Sequence, residues 1–109
     1  MSGPVPTDRE LAAAVREAAL AVPGVARLAP GTGAEVATHF PGGKLVGVRL
    51  AGATVQLHLV VDRLPVPPIA GQVERAVRAV LAGAGDPRPV RVVVEDIDQA
   101  AFPALPTGG

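Results

Sequence analysis

Apolar residues first recur at helical spacing near the start of the chain. Leu11, Val15, Ala18, Ala19 and Val22 form one stripe, with Arg9, Arg16 and Glu17 away from it. Thr7-Asp8-Arg9-Glu10 precedes the stripe as a capping box, in which hydroxyl and carboxylate each satisfy an orphan amide. Pro23-Gly24 ends this helix near Ala21 or Val22, because a residue before proline is biased out of the helical region. No helix follows that glycine, so the turn is a helix stop and not an anion cradle. Residues 23–44 are rich in Gly and Pro and read as a loop, with a short extended piece at 35–40.

Alternation replaces helical spacing after Lys44. "LVGVRLA" (45–51) and "TVQLHLVVD" (54–62) flank Gly52-Ala53, which suits a two-residue type II′ turn. In that register Leu50 faces Val55, Val48 faces Leu57, and Val46 faces Leu59. All six then share one face, so turn chemistry and hydrophobic pattern select the same pairing. "RLPVPPIAG" breaks the strand and opens a second helix, with Pro67 or Pro68 in its first turn. Ile69, Val73, Ala76, Val77 and Val80 form its stripe, and Glu74 and Arg78 an i,i+4 pair. "VRVVVED" (90–96) is a last strand with Val90, Val92 and Val94 on one face.

The expected fold is therefore α+β, in the order α-β-β-α-β. A three-stranded mixed sheet carries both helices on its Val/Leu face. Crossover chirality makes the last strand parallel to the second; it is placed beside the first, antiparallel to it. Residues 7–98 form the domain. Residues 1–6 and 99–109 read as flexible ends, with Phe102 and Leu105 available to dock.

Composition narrows the function. Ten basic and ten acidic residues give zero net charge, so no global field favours nucleic acid or an anionic membrane. Without cysteine there are no thiolate nucleophiles, disulfides or thiolate metal sites. Phe40 and Phe102 are the only aromatic residues, which leaves little for base stacking. No apolar run approaches the roughly 18 residues of a membrane span, and the N-terminus lacks a signal-peptide pattern. The expectation is a cytoplasmic protein whose membrane association, if any, goes through a partner.

The candidate chemistry is sparse. His39 and His58 lack the converging groups that metal binding or acid–base work requires. Glu95, Asp96 and Asp98 read as a solvated strand end, with alternation sending Glu95 away from Asp96. Gly42-Gly43-Lys44 lacks the spacing, the following Ser/Thr and the helix of a phosphate loop. No catalytic, metal or cofactor residue is assigned, and no small-molecule substrate is expected. What remains is the sheet face away from the helices, carrying Leu45, Arg49, Gln56, His58, Val60, Arg91 and Val93, with Glu95 at its end. Polar residues around exposed valines suit a partner face, unless the long loop or the tail covers them.

The element order and the phrases "VPGVARL", "LVGVRLAGATVQLHLVVD", "PPIAGQVERAVRAVL" and "VRVVVEDI" resemble the alkaline shock protein family of bacterial envelope stress proteins. The resemblance spans about residues 8–98 and rests on apolar and turn positions. It implies a non-enzymatic protein that associates with itself or a related paralogue and reaches the membrane through a membrane-anchored partner. No functional residue carries over. The long Gly/Pro loop, the Ala/Arg-rich composition and Pro67-Pro68 depart from the family pattern.

Two other readings share this topology. One is a small KH-like RNA- or ribosome-associated module; the missing G-x-x-G loop and the scattered, neutral charge weigh against it. The other is a ring-building domain of secretion or sporulation machinery, which usually lies beside a transmembrane segment. Fold likeness alone selects none of them.

Overall fold

A computed structural model describes residues 5–98. The elements are α1 (Asp8–Leu20), β1 (Val25–Leu28), β2 (Ala37–Phe40), β3 (Gly43–Val46), β4 (Val48–Arg49), β5 (Val55–Val61), α2 (Val66–Gly83) and β6 (Val90–Ile97). The fold is α+β, with both helices packed on a mostly antiparallel sheet. Both arms of the capping box form at α1: Thr7 N–H donates to Glu10 Oε1 at 3.0 Å, and Glu10 N–H to Thr7 Oγ1 at 3.1 Å. The α1 stripe buries Leu11, Val15 and Ala19 together with Ala12. In α2 the buried line is Ile69, Val73, Val77 and Leu81, while Ala76 and Val80 are half-buried beside it. The Glu74–Arg78 pair closes at 2.7 Å on the exposed side, worth roughly 0.3–0.5 kcal/mol.

The central strand is β5. On one edge it meets β4 at Val48↔Leu57 and Arg49↔Gln56, then β1 at Leu28↔Leu59, Arg27↔Val60 and Val25↔Val61. His58 lies at the junction: its carbonyl accepts from Ala29 N at 2.8 Å, and its N–H donates to the Gly47 carbonyl at 3.0 Å. The other edge of β5 takes β6 in parallel from Val55↔Val90 to Val61↔Ile97. Val55, Leu57, Leu59 and Val61 all point at the helices and are fully buried.

Three expectations need correction. First, residues 23–44 are not a plain loop: they hold β1, β2 and the start of β3. These strands are four residues long, and β1 carries a register shift between Val25 and Arg27, so no alternating run advertises them. Secondly, 45–51 is not one strand. Gly47 adopts φ 96° and splits it, so Val46 pairs with Ala37 in a separate two-stranded sheet while Leu59 takes Leu28. The kink also sends Leu45 into contact with the core, opposite to the side that continuous alternation assigns. Thirdly, β6 lies beside β5 and not beside the first strand of the expected hairpin. That edge of β5 is occupied by β4 and β1, so the crossover through α2 lands on the open one. Its parallel direction is as chirality requires.

The turn after β4 also departs from a tight hairpin. Gly52 has the positive φ expected of it, 119°, but the ladder stops at Arg49↔Gln56. Instead the Arg88 guanidinium reaches from the α2–β6 connection and donates to the carbonyls of Leu50 and Gly52. Asp86 fixes that guanidinium through its Oδ2 at 2.6 Å and its Oδ1 at 3.0 Å. The bonds from Arg88 hold the Asp86 carboxyl below its ordinary value of 3.8. A depressed folded-state value means that the contribution is complete above the ordinary value and lost as pH falls through the folded one. Arg88→Leu is therefore expected to cost about 1–2 kcal/mol near neutral pH in urea unfolding. It should also flatten the acid limb of the stability profile below about pH 4. An acid limb as steep as that of the wild type would refute this assignment.

Candidate interaction surface

The sheet face away from the helices is built in rows. Register places Arg49, Gln56 and Arg91 side by side across β4, β5 and β6. Arg49 and Arg91 are exposed and Gln56 half-buried. In the next row His58 lies beside Val93, and beyond it Val60 lies beside Asp96. Val93 is half-buried, whereas His58 and Val60 are only 9% and 5% exposed. Leu45 lies off this face, on the core side of β3.

Chain between β1 and β2 reaches Glu95, which lies beside His58. Gly31 N–H donates to Glu95 Oε2 at 3.0 Å, which ties the segment across the face to β6. The same carboxylate oxygen lies 3.6 Å from His58 Nδ1, with both side chains 11% exposed. His58 Nε2 is 3.0 Å from Gln56 Nε2, and Nδ1 is buried without a hydrogen-bond partner. Alternation from Arg91 and Val93 already sets Glu95 on this face, and a β-bulge there moves Asp96 opposite Val60. The register shifts between Leu59 and Val60, so Val94 and Ile97 both pack on the core with two residues between them instead of one. Sequence alternation carries no sign of that bulge.

Elsewhere, the residues singled out from the sequence stay apart. His39 is exposed on β2, next to Phe40, whose ring lies 5.2 Å beneath the Arg9 guanidinium. Gly42 lies in the β2–β3 turn, Gly43 and Lys44 open β3, and Lys44 pairs with Glu35 at 2.7 Å. Asp98 bonds Arg27 at 3.2 Å across the outer face. Among the described residues, no three His, Asp or Glu side chains gather as a metal site. No described helix is long and apolar enough to cross a membrane. Phe102 and Leu105 lie outside the described residues.

No family model and no curated protein matches the chain. Among solved structures it is similar to two variants of the MamM CTD, one of them a nickel form. Each shows 20% identity and a TM-score of 0.45; the overlays cover 83% of this chain and 99% and 95% of those chains. At this similarity nothing about function follows.

The feature that sequence reading misses is the far edge of β6. In the parallel ladder, Val55 N–H donates to the Pro89 carbonyl. Arg91 and Val93 therefore turn their backbone groups towards β5, and Val90, Val92 and Val94 turn theirs outwards. Among the described residues those outward groups have no partner. The ends of the edge are better guarded: Pro89 precedes it, and Ile97 N–H is taken by Asp96 Oδ1 at 2.8 Å. The sequence carries no signal for placing the last strand beside β5, and so none for which of its backbone groups face outwards.

Proposed function

We propose that this chain is a non-enzymatic scaffold or interaction protein acting through self-association, a membrane-anchored partner, or both, as in the alkaline shock proteins it resembles. The open edge of β6, a valine-rich strand of eight residues, carries this reading. Between Pro89 and the bulge at Glu95, the outward N–H and C=O groups of Val90, Val92 and Val94 are unpaired among the described residues and form a template for another chain. The charges support a protein partner over a nucleic acid. Arg27, Lys44, Arg63, Arg78 and Arg88 are each engaged by a carboxylate of the same chain, so they add little field for phosphate. The protein would act in the cytoplasm, at the membrane only through its partner.

Light scattering of the purified chain and recovery of tagged protein with a membrane fraction test the two arms. A monomer that recovers nothing from membranes would overturn the proposal. Fluorescence titration with single-stranded RNA at ~50 mM salt is expected to show no binding. Saturable binding there would replace this reading with the RNA-associated one.

A further inference from the structure

We propose that β6 pairs antiparallel with β6 of a second copy, about a two-fold axis through Val93, to give one continuous sheet. The inference rests on the self-association reading above and names its interface. The outward backbone groups of Val92 and Val94 supply the ladder. With the axis at Val93, Val92 of each copy faces Val94 of the other as a hydrogen-bonded pair. Val93 then faces its own counterpart as a non-hydrogen-bonded pair, where side chains approach most closely.

Charge selects this register. The same axis sets Arg91 opposite Glu95 of the second copy, twice by symmetry. Arg91 is exposed and has no ion pair within its own chain among the described residues. Glu95 uses Oε2 for Gly31, and its Oε1 makes no hydrogen bond there. A shift of the axis by one residue, to Val92, would set Arg91 against Val93 and lose both pairs.

Burial also leaves room for the second copy. Leu57 and Leu59 on β5 are fully buried, whereas Val90, Val92 and Val94 on β6 remain half-exposed although α2 packs against the strand, so the edge keeps apolar surface to bury. A shallow groove lined by Val66, Val94, Glu95, Asp96 and Ile97 runs beside it. Antiparallel pairing keeps opposed residues on one face, so these valines would meet their counterparts in a shared apolar seam.

The full chain, by light scattering, is expected at twice its 10.9 kDa mass. Val92→Pro removes an outward N–H and leaves the β5 ladder intact; it should give a monomer with an unchanged circular dichroism spectrum. Arg91→Glu should weaken the dimer at least about tenfold, and so should Glu95→Arg. An equimolar mixture of the two should recover a heterodimer, because both cross-pairs become attractive again. The native chain has no cysteine, so Val93→Cys introduces a single thiol expected to cross-link two copies on mild oxidation. Arg49→Cys, on the same face but away from the edge, should not.

A wild type that stays monomeric at all concentrations overturns the inference and the self-association arm of the proposed function together. A dimer that survives Val92→Pro and does not cross-link through position 93 overturns this interface alone. A dimer that cross-links through 93, with no rescue in the mixed charge variants, overturns the register.

Discussion

Gly47→Val is expected to destabilise the domain by roughly 3–5 kcal/mol, much of the margin typical of a domain this size. Two costs combine. Gly47 sits at φ 96°, which a β-branched residue scarcely adopts. A Cβ built there would also lie 2.6 Å from Leu28 Cβ and 3.3 Å from the Ala29 carbonyl oxygen. Leu28 ends β1 and Ala29 follows it, bonded to the His58 carbonyl on the edge of the central strand, so relief requires this segment to leave β5. Gly47 is buried and bonded at both backbone groups, to the Val36 carbonyl and to His58 N–H, so the kink cannot relax freely. Gly42→Val is the matched control: its φ is 89°, but nothing lies within 4 Å of the added Cβ. It should cost only the backbone strain, roughly 1–2 kcal/mol. Urea midpoints measure both, and equal losses would show that strain alone, without the contact with β1, sets the role of Gly47.

The same glycine marks where the sequence stops being legible. Regular elements with one dominant period were readable: the capping box at Thr7, both helix stripes, and the registers Val48↔Leu57 and Arg49↔Gln56. The break at Gly47 was not, because "LVGVRLA" keeps its alternation through the glycine while the backbone does not. One residue in the left-handed region therefore transfers Val46 to β2 and turns Leu45 towards the core. The strands of 25–46 were hidden for another reason. At four residues each they are too short for a period, and their partners are fixed by tertiary pairing.

The candidate surface was legible as a list of residues and not as a surface. Alternation correctly sends Gln56, His58 and Val60 away from the helices. It carries no information about the segment after β1, which ties Gly31 to Glu95. It is equally silent on the Arg27–Asp98 pair, which leaves Arg49 and Arg91 as the exposed cations of the face without an ion pair among the described residues. Nor does it reveal the bulge at Glu95, or the contacts with Gly31 and His58 that bury its carboxylate instead of leaving it at a solvated strand end. The interaction reading consequently moves from the middle of the face to its β6 border, where backbone groups and half-exposed valines coincide.

Leu57→Ala should cost about 3–5 kcal/mol, comparable to the loss at Gly47 but by a different route. Leu57 is fully buried and lies in the central strand opposite Val48 on one edge and Val92 on the other. Val15 of α1 and Val73, Val77 and Leu81 of α2 belong to the same buried cluster. Removing the side chain leaves a void bordered by three strands and two helices. None of them can collapse inwards without breaking a ladder or unseating its own apolar stripe, so the cost belongs near the top of the range for such truncations. Leu64→Ala is the comparison, since Leu64 is 60% exposed and should lose less than about 0.5 kcal/mol. The urea slope should be unchanged in both variants, which keeps the effect in the native state. A loss below about 1 kcal/mol at Leu57 would mean that the helices do not close over β5, and with it the two-layer core would fall.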